Sequence, residues 1–281
     1  MPHGMKFLGQ VAFITGASRG IGKALALALA AEGCDIVVAA KSTESTDLLP
    51  GSINHTAAEV EKLGRRALPV MVDVRKDELV ERAVQKSIDE FGRIDFLINN
   101  AGALHWRSLL DTPMSRFDLV MGVNARGAFS CTRAVLPHMI EAGYGHIVMM
   151  SPPVISEGAA GKIAYCISKF GMTLIARGLA EEVREHNVAC NSLWPATLIE
   201  SMATVNHNLG GPPTWRKPDI LADAAIAILD KEPRSFTGHE LIDEDFLRSE
   251  GVHDFTKYRC DPATEPPRIG FKFKLEAGKV E

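Results

Sequence analysis

Cysteine is sparse and unpaired in this 281-residue chain: Cys34, Cys131, Cys166, Cys190 and Cys260 are scattered, odd in number and free of any C-x-x-C pair. That usage suits a reducing compartment and argues against a structural zinc site, so no metal is expected. No uninterrupted apolar run reaches the roughly 18 residues of a membrane span. The start, Met1-Pro2-His3-Gly4-Met5-Lys6, lacks a secretory hydrophobic region, and Lys279-Val280-Glu281 is not a peroxisomal tripeptide. Basic excess is missing too: a formal net charge of -4 gives no reason to expect a nucleic-acid partner. No internal repeat is visible. The expectation is a soluble, cytoplasmic protein, with an organelle as the alternative.

What is present is a core. Hydrophobic residues make up 46% of the chain and charged residues 23%, enough to bury a sizeable interior and to exclude disorder. Short, apolar strand-like runs alternate with longer helical stretches. The runs are Val11-Ala12-Phe13-Ile14, Asp35 to Ala40, Ala67 to Val72, Ile94 to Ile98, Ile147 to Met150, Val188 to Leu193 and His239 to Ile242. Helical candidates span Asp77 to Phe91, Arg116 to Glu141, Ile163 to Glu185 and Pro218 to Asp230. Apolar strands separated by helices indicate a parallel sheet covered on both faces. The expected fold is α/β, a Rossmann-type doubly wound parallel sheet in a single domain over residues 5–250, followed by a tail over 251–281.

Two segments break this rhythm. Residues 41–53 are polar, with Pro50 and Gly51, and read as an enlarged loop after the second strand. Residues 196–217 hold Gly210-Gly211-Pro212-Pro213 beside Leu198, Ile199, Met202, Val205 and Trp215. That mixture fits a mobile lid over an apolar pocket, the alternative being a packed surface excursion. The last 25 or so residues, rich in proline and charge, read as a loosely attached tail.

The run Thr15-Gly16-Ala17-Ser18-Arg19-Gly20-Ile21-Gly22 joins the first strand to the first helix. Its G-x-x-x-G-x-G spacing differs from the G-x-G-x-x-G dinucleotide fingerprint, yet the physics is shared. Glycine lets the backbone approach a pyrophosphate, and the helix N-terminus supplies amide donors and a positive dipole. A P-loop fails, because Ala17 and Ala24 stand where its first glycine and its hydroxyl belong. A ligand-free structural turn is the alternative. Asp73, ending the third strand, and Asn99-Asn100-Ala101-Gly102, ending the fourth, lie on the same rim and favour the ligand.

Tyr165 and Lys169 are four apart on a helix, which puts phenol and ammonium on one face. A tyrosine is a poor base at its reference pKa of about 10, but a nearby cation lowers that value. Such a pair can exchange a proton with an alcohol or carbonyl oxygen. Alone, the spacing is more often a surface pair.

Taken in order, Thr15 to Gly22, Asp73, Asn99 to Gly102, Asn124, a serine near 151, Tyr165, Lys169 and Pro195 resemble the short-chain dehydrogenase/reductase superfamily over roughly residues 5–245. Further motifs are shared with one branch of it: Ala39-Ala40-Lys41, Ser151-Pro152-Pro153 before Ile155, Leu193-Trp194-Pro195 and Ser235-Phe236-Thr237-Gly238. Longer members of that branch carry a sterol-carrier-type lipid-binding domain; these 281 residues contain no such segment, so lipid carriage is not implied.

The resemblance implies that Tyr165 is the general acid/base and that Lys169 holds the nicotinamide ribose while lowering the tyrosine pKa. Asn124 would support a water relay, or merely mark a local kink. Ser151 would bind the substrate oxygen, yet the position thirteen before the tyrosine is Pro152 and Ser151 is fourteen before it. Either the loop absorbs one residue or the oxygen is held without that hydroxyl. Cofactor contacts are implied for Gly16, Ala17, Ser18, Arg19, Gly20, Ile21 and Gly22 in the turn, and for Lys41, Asp73 and Val74. The implied set continues with Asn100, Ala101, Gly102, Tyr165, Lys169 and Leu198. Ala196 replaces the usual glycine after Pro195, which weakens the assignments of Leu198 and Ser201.

An acidic residue ending the second strand would bind the ribose hydroxyls of NAD; here Ala40 is followed by Lys41, with Arg19 in the glycine turn. Two cations and no carboxylate suit the 2′-phosphate of NADP. The resulting expectation is an NADP-dependent oxidoreductase, a homo-oligomer (dimer or tetramer), acting on a hydrophobic fatty-acyl- or steroid-like carbonyl or secondary alcohol. Alternatives are an NADP-binding regulatory or scaffold protein with vestigial activity, motivated by Pro152, and a lyase or epimerase on the same scaffold.

Overall fold

Strands β1 (Val11–Thr15) and β2 (Asp35–Ala40) are buried along their whole length, and they set the plan of the molecule. Around them a seven-stranded sheet runs in the order β3-β2-β1-β4-β5-β6-β9. The other strands are β3 (Ala67–Met71), β4 (Phe96–Asn99), β5 (Gly145–Met149), β6 (Val188–Trp194) and β9 (Glu240–Ile242). Every pairing is parallel. The computed structural model describes residues 5–46, 50–154 and 158–269; Ile155 and the end of the tail lie outside them.

Helices cover both faces, as parallel strands buried on both sides require. One face packs against α1 (Gly20–Ala31), α2 (Ile53–Lys62), α8 (Asp219–Leu229) and α9 (Asp243–Ser249). The other packs against α3 (Asp77–Phe91), α5 (Gly127–Ala142) and α6 (Ile163–Glu182). In α3 the pattern is plain: Val80, Ala83, Val84 and Ser87 turn inward, Asp77 and Glu78 meet the positive N-terminal dipole, and Gly92 at φ +77° ends the helix. Helix α6 is long and apolar enough to cross a membrane by length and composition, but it is a core helix that packs across β5 and β6.

The enlarged loop after β2 is present over residues 41–52, one residue short of its expected end, and α2 starts at Ile53, where the Ser52 hydroxyl accepts from the His55 N–H at 3.1 Å. Two sequence expectations need amendment. The excursion at 196–217 is a folded flap: β7 (Leu198–Ile199) pairs with β8 (Trp215–Arg216), and α7 (Met202–Asn206) is closed by a Ser201–Thr204 capping box. Leu198, Leu209 and Trp215 give it a small core of its own. The tail is not loose through residue 269. Tyr258 is buried, the Lys217 N–H donates to the Tyr258 carbonyl at 2.7 Å, and the Ile269 N–H donates to the Ala196 carbonyl at 2.8 Å. Arg216, 1% exposed, bonds Glu244 at 2.6 Å and Glu265 at 2.5 Å and so ties flap, α9 and tail together.

Candidate active site

The strand order reverses between β1 and β4, and a crevice opens at their carboxyl ends. Thr15 closes its floor: its hydroxyl accepts from the N–H groups of Asn100 (3.0 Å) and Ala101 (2.9 Å), while the Asn100 amide donates to the Thr15 carbonyl at 2.9 Å. The glycine turn follows. Gly16 and Gly20 have φ of +69° and +54°. A Cβ on Gly22 would sit 2.6 Å from the Asn100 amide nitrogen and closer still to the Gly16 carbonyl oxygen, so only glycine fits. Helix α1 has no side-chain N-cap, and Gly20, Ile21 and Gly22 of its first turn line the crevice. Unfilled amide donors beside a close-packed glycine floor fit a phosphate-bearing dinucleotide.

The crevice is a cavity of about 740 Å³. It is lined by every expected cofactor residue except Ala17, which is buried beneath the turn. At the far rim Lys41 lies 3.6 Å from Asp73. Asp73 is gripped by the Arg75 guanidinium at 2.6 Å and by its backbone N–H at 3.1 Å, which holds the carboxyl down at about 2. Arg19 spends two donors on the loop before α2, to the carbonyls of Pro50 (3.0 Å) and Gly51 (2.7 Å).

Helix α6 brings Tyr165 and Lys169 to the cavity wall together, both almost fully enclosed. The Lys169 ammonium donates to the Met150 carbonyl at 2.7 Å and lies 5.5 Å from the Trp194 ring centre. Burial without a carboxylate lowers its pKa to about 7. Burial also pushes the Tyr165 phenol well above its usual value, and the Cys166 thiol adds to this. The expected lowering of the tyrosine pKa by Lys169 is therefore absent: desolvation dominates, and the ammonium is committed to Met150. In this state the phenol keeps its proton.

Asn124 lies in a π-helical turn, Met121–Arg126, between α4 (Met114–Val120) and α5. Its amide accepts from the Ala103 N–H (2.7 Å) and donates to the Ala103 carbonyl (3.0 Å) and the Ser168 hydroxyl (2.8 Å). It braces the loop after β4 rather than lining the cavity. Ser151 departs from expectation. It is fully buried, off the cavity wall, and its hydroxyl oxygen lies 2.8 Å from that of Thr173 on α6. One residue earlier in the chain than the expected position, it turns its hydroxyl to α6.

Comparison with known proteins now decides the lineage. The short chain dehydrogenase family matches residues 10–208. The chain belongs to that family. It is 43% identical over 267 residues to hydroxysteroid dehydrogenase-like protein 2 of Xenopus tropicalis, covering 93% of this chain and 63% of the relative. The chain thus spans somewhat under two thirds of the length of the curated relatives it matches. A crystal structure of a putative dehydrogenase from Xanthomonas campestris superposes with a TM-score of 0.91 at 41% identity, covering 96% of this chain and 99% of that one. Two structures at 28% identity, each covering 84% of this chain and 97% of its own, differ in cofactor. A metagenomic short-chain oxidoreductase is in complex with NADP (TM-score 0.71), and a short chain dehydrogenase from Mycobacterium paratuberculosis is bound to NAD (0.72).

Several parts of this short chain dehydrogenase site escaped the sequence reading. Trp106 meets the Tyr165 ring edge-on at 6.1 Å between centroids, and the Lys162 ammonium lies 5.3 Å from the Trp106 ring centre. Ser168, bonded to Asn124 and to the Tyr165 carbonyl (2.7 Å), links brace and tyrosine. His207 and Ile269 complete the cavity wall from the flap and the tail. An aromatic residue shortly after the Asn-Asn-Ala-Gly stretch was the one available signal.

Proposed function

We propose that this protein is an NADP-dependent oxidoreductase that interconverts a hydrophobic carbonyl compound and its secondary alcohol. The observation that carries the reading is the joint burial of Tyr165 and Lys169 on the wall of the cavity that begins at the glycine turn. The turn, the first amides of α1, Asp73 and Asn100 to Gly102 would hold the dinucleotide, which when bound supplies or accepts the hydride. Tyr165 would hydrogen-bond the substrate oxygen and give it a proton during reduction. A phenol kept protonated by burial suits that direction. Lys169, near neutrality in its buried setting, would orient the ribose and return the proton. Leu104, Trp106, Leu198, Met202, Leu209 and Ile269 offer the apolar lining for the substrate.

The choice of NADP rests on Ala40 and Lys41, since β2 ends without a carboxylate to take ribose hydroxyls and with a cation on the cavity rim. The family accommodates either dinucleotide, so local charge is what separates them. A second reading, an NADP-binding regulatory protein with vestigial activity, is favoured by the burial of Ser151 against Thr173, which takes that hydroxyl away from any substrate oxygen. NADPH consumption with alkanals and alkanones of graded chain length separates the two. The enzyme reading expects turnover that rises with chain length and disappears in Tyr165→Phe while NADP still binds; equal rates in wild type and Tyr165→Phe would overturn it.

A further inference from the structure

By composition the chain beyond α9 is a poor source of cavity wall. From Arg259 to Arg268 it holds no leucine, isoleucine, valine, methionine or aromatic residue, and three prolines interrupt it. Ile269 comes next, and it lines the cavity. Its neighbours come from the other two segments that close the crevice: Leu104 and Trp106 from the loop after β4, and Leu198, Leu209 and Trp215 from the flap. This is the Tyr165 side of the cavity, since Trp106 meets the Tyr165 ring edge-on, while Lys41 and Asp73 mark the far rim.

A wall limits what fits only if it holds its place, and the tail is fixed along its length. At the start the Tyr258 hydroxyl donates to Asp223 at 2.6 Å, and the Cys260 N–H donates to the Trp215 carbonyl at 3.2 Å. In the middle Glu265 accepts from the buried Arg216 guanidinium at 2.5 Å and from Arg259 at 2.8 Å. At the end Arg268 donates to Asp245 at 2.6 Å, and the Ile269 N–H donates to the Ala196 carbonyl at 2.8 Å. Ala196 is itself anchored, because its N–H donates to the buried Asp243 carboxylate at 2.8 Å. The exposed ion pairs add little by themselves, but the buried arginine and the backbone bond to Ala196 do not depend on them. The seat of Ile269 is therefore set by backbone and by charge, and its side chain is free to serve the cavity.

We propose that Ile269 is a specificity-determining residue whose side chain closes the apolar part of the cavity and sets how long a hydrocarbon chain the site accepts. The inference rests on the reading of the cavity as the substrate site and adds the residue that sizes it. A methylene that finds room against an apolar wall raises affinity about fourfold, whereas one that meets a fixed side chain gains nothing or costs overlap. Because the tie to Ala196 runs through the backbone, the side chain can be replaced without releasing the tail.

The test is calorimetric binding of racemic 2-alkanols, from 2-hexanol to 2-tetradecanol, to the NADPH-saturated protein, a pairing that cannot turn over. Wild-type affinity should climb about fourfold per methylene and then level off at one chain length. Ile269→Ala should move that plateau to alcohols longer by about two to three carbons, the cavity being only partly refilled by its neighbours. Ile269→Trp should bring it to a shorter alcohol, and NADPH affinity should stay within about threefold in both variants. Ile269→Val, which removes one carbon, should move the plateau the same way as alanine by less, and it decides the matter if the larger changes prevent folding. A plateau at the same length in wild type and variants, or a wild-type affinity that climbs through the whole series, overturns the proposal. Turnover of the matching 2-alkanones is measured separately. A plateau that moves in a protein that reduces none of them sinks the enzymatic reading alone, and turnover with an unmoved plateau sinks this proposal alone.

Discussion

Replacing Lys169 by methionine should make the ligand-free protein more stable while destroying its activity. Methionine matches the side chain as far as Cε and removes the ammonium. Depression of the lysine pKa from 10.5 to about 7 corresponds to about 5 kcal/mol of penalty for burying the charge. Against this stands the 2.7 Å hydrogen bond to the Met150 carbonyl, worth about 1.5–3 kcal/mol to a charged donor. The balance favours Lys169→Met by about 2–3 kcal/mol at pH 6.5. The sign with pH follows from proton counting. Below pH 7 folded and unfolded chains both hold the proton and the penalty is complete. Between 7 and 10.5 only the unfolded chain holds it, so wild type gains stability as pH rises, and by pH 9.5 most of the penalty is gone. Cysteine and tyrosine titrations are common to both chains and cancel. Urea unfolding of both proteins at pH 6.5 and 9.5, without cofactor, measures the difference. A wild type more stable than the variant at pH 6.5, or a gap that does not narrow by pH 9.5, would refute the argument.

Ser151→Ala should lower stability by about 1 kcal/mol, through the lost contact with Thr173, and leave kcat/KM within about threefold; a hundredfold loss would return Ser151 to the substrate oxygen. Gly22→Ala should abolish cofactor binding in calorimetric titration and lower the melting temperature, because the new methyl meets the Gly16 backbone and the Asn100 amide. Unchanged NADP affinity would show that the turn is not a phosphate floor. Ala40→Asp combined with Lys41→Ala should weaken NADP binding by roughly ten- to hundredfold and strengthen NAD binding. Equal affinity of wild type for the two dinucleotides would sink the NADP assignment.

The layout of the sheet was legible because parallel strands buried on both faces are apolar along most of their length, as Val11–Thr15 and Asp35–Ala40 are. Tyr165 and Lys169 were legible because a spacing of four fixes a shared helical face. Their protonation was not, since it depends on enclosure by residues distant in sequence, Met150 and Trp194 among them. The direction of Ser151 was also hidden. It lies just past the end of β5, where the alternation of a strand no longer dictates which side a residue faces. The tail misled for a related reason: its proline and charge suggest solvent, but Glu265 and Arg259 serve a buried arginine and its neighbours across about fifty residues. Helix α2 announced itself only by Ser52, a capping residue before a weakly apolar stretch.

A wide turn inside a helix is what a single inserted residue looks like when the helix on either side has kept its seat. Removing one residue from Met121–Arg126 would let α4 run into α5 with ordinary α-helical hydrogen bonds. It would also rotate everything on one side of the cut by about 100° about the axis. With α5 held by its buried face, Asn124 would swing away from Ala103 and Ser168, and the loop after β4 would lose its brace. The core would hardly register the change, because hydropathy and helix content stay as they were. Among related sequences, a gap of one residue at 121–126 therefore marks a protein that has kept this fold and given up this site, a distinction that substitutions elsewhere in the same helix would not reveal.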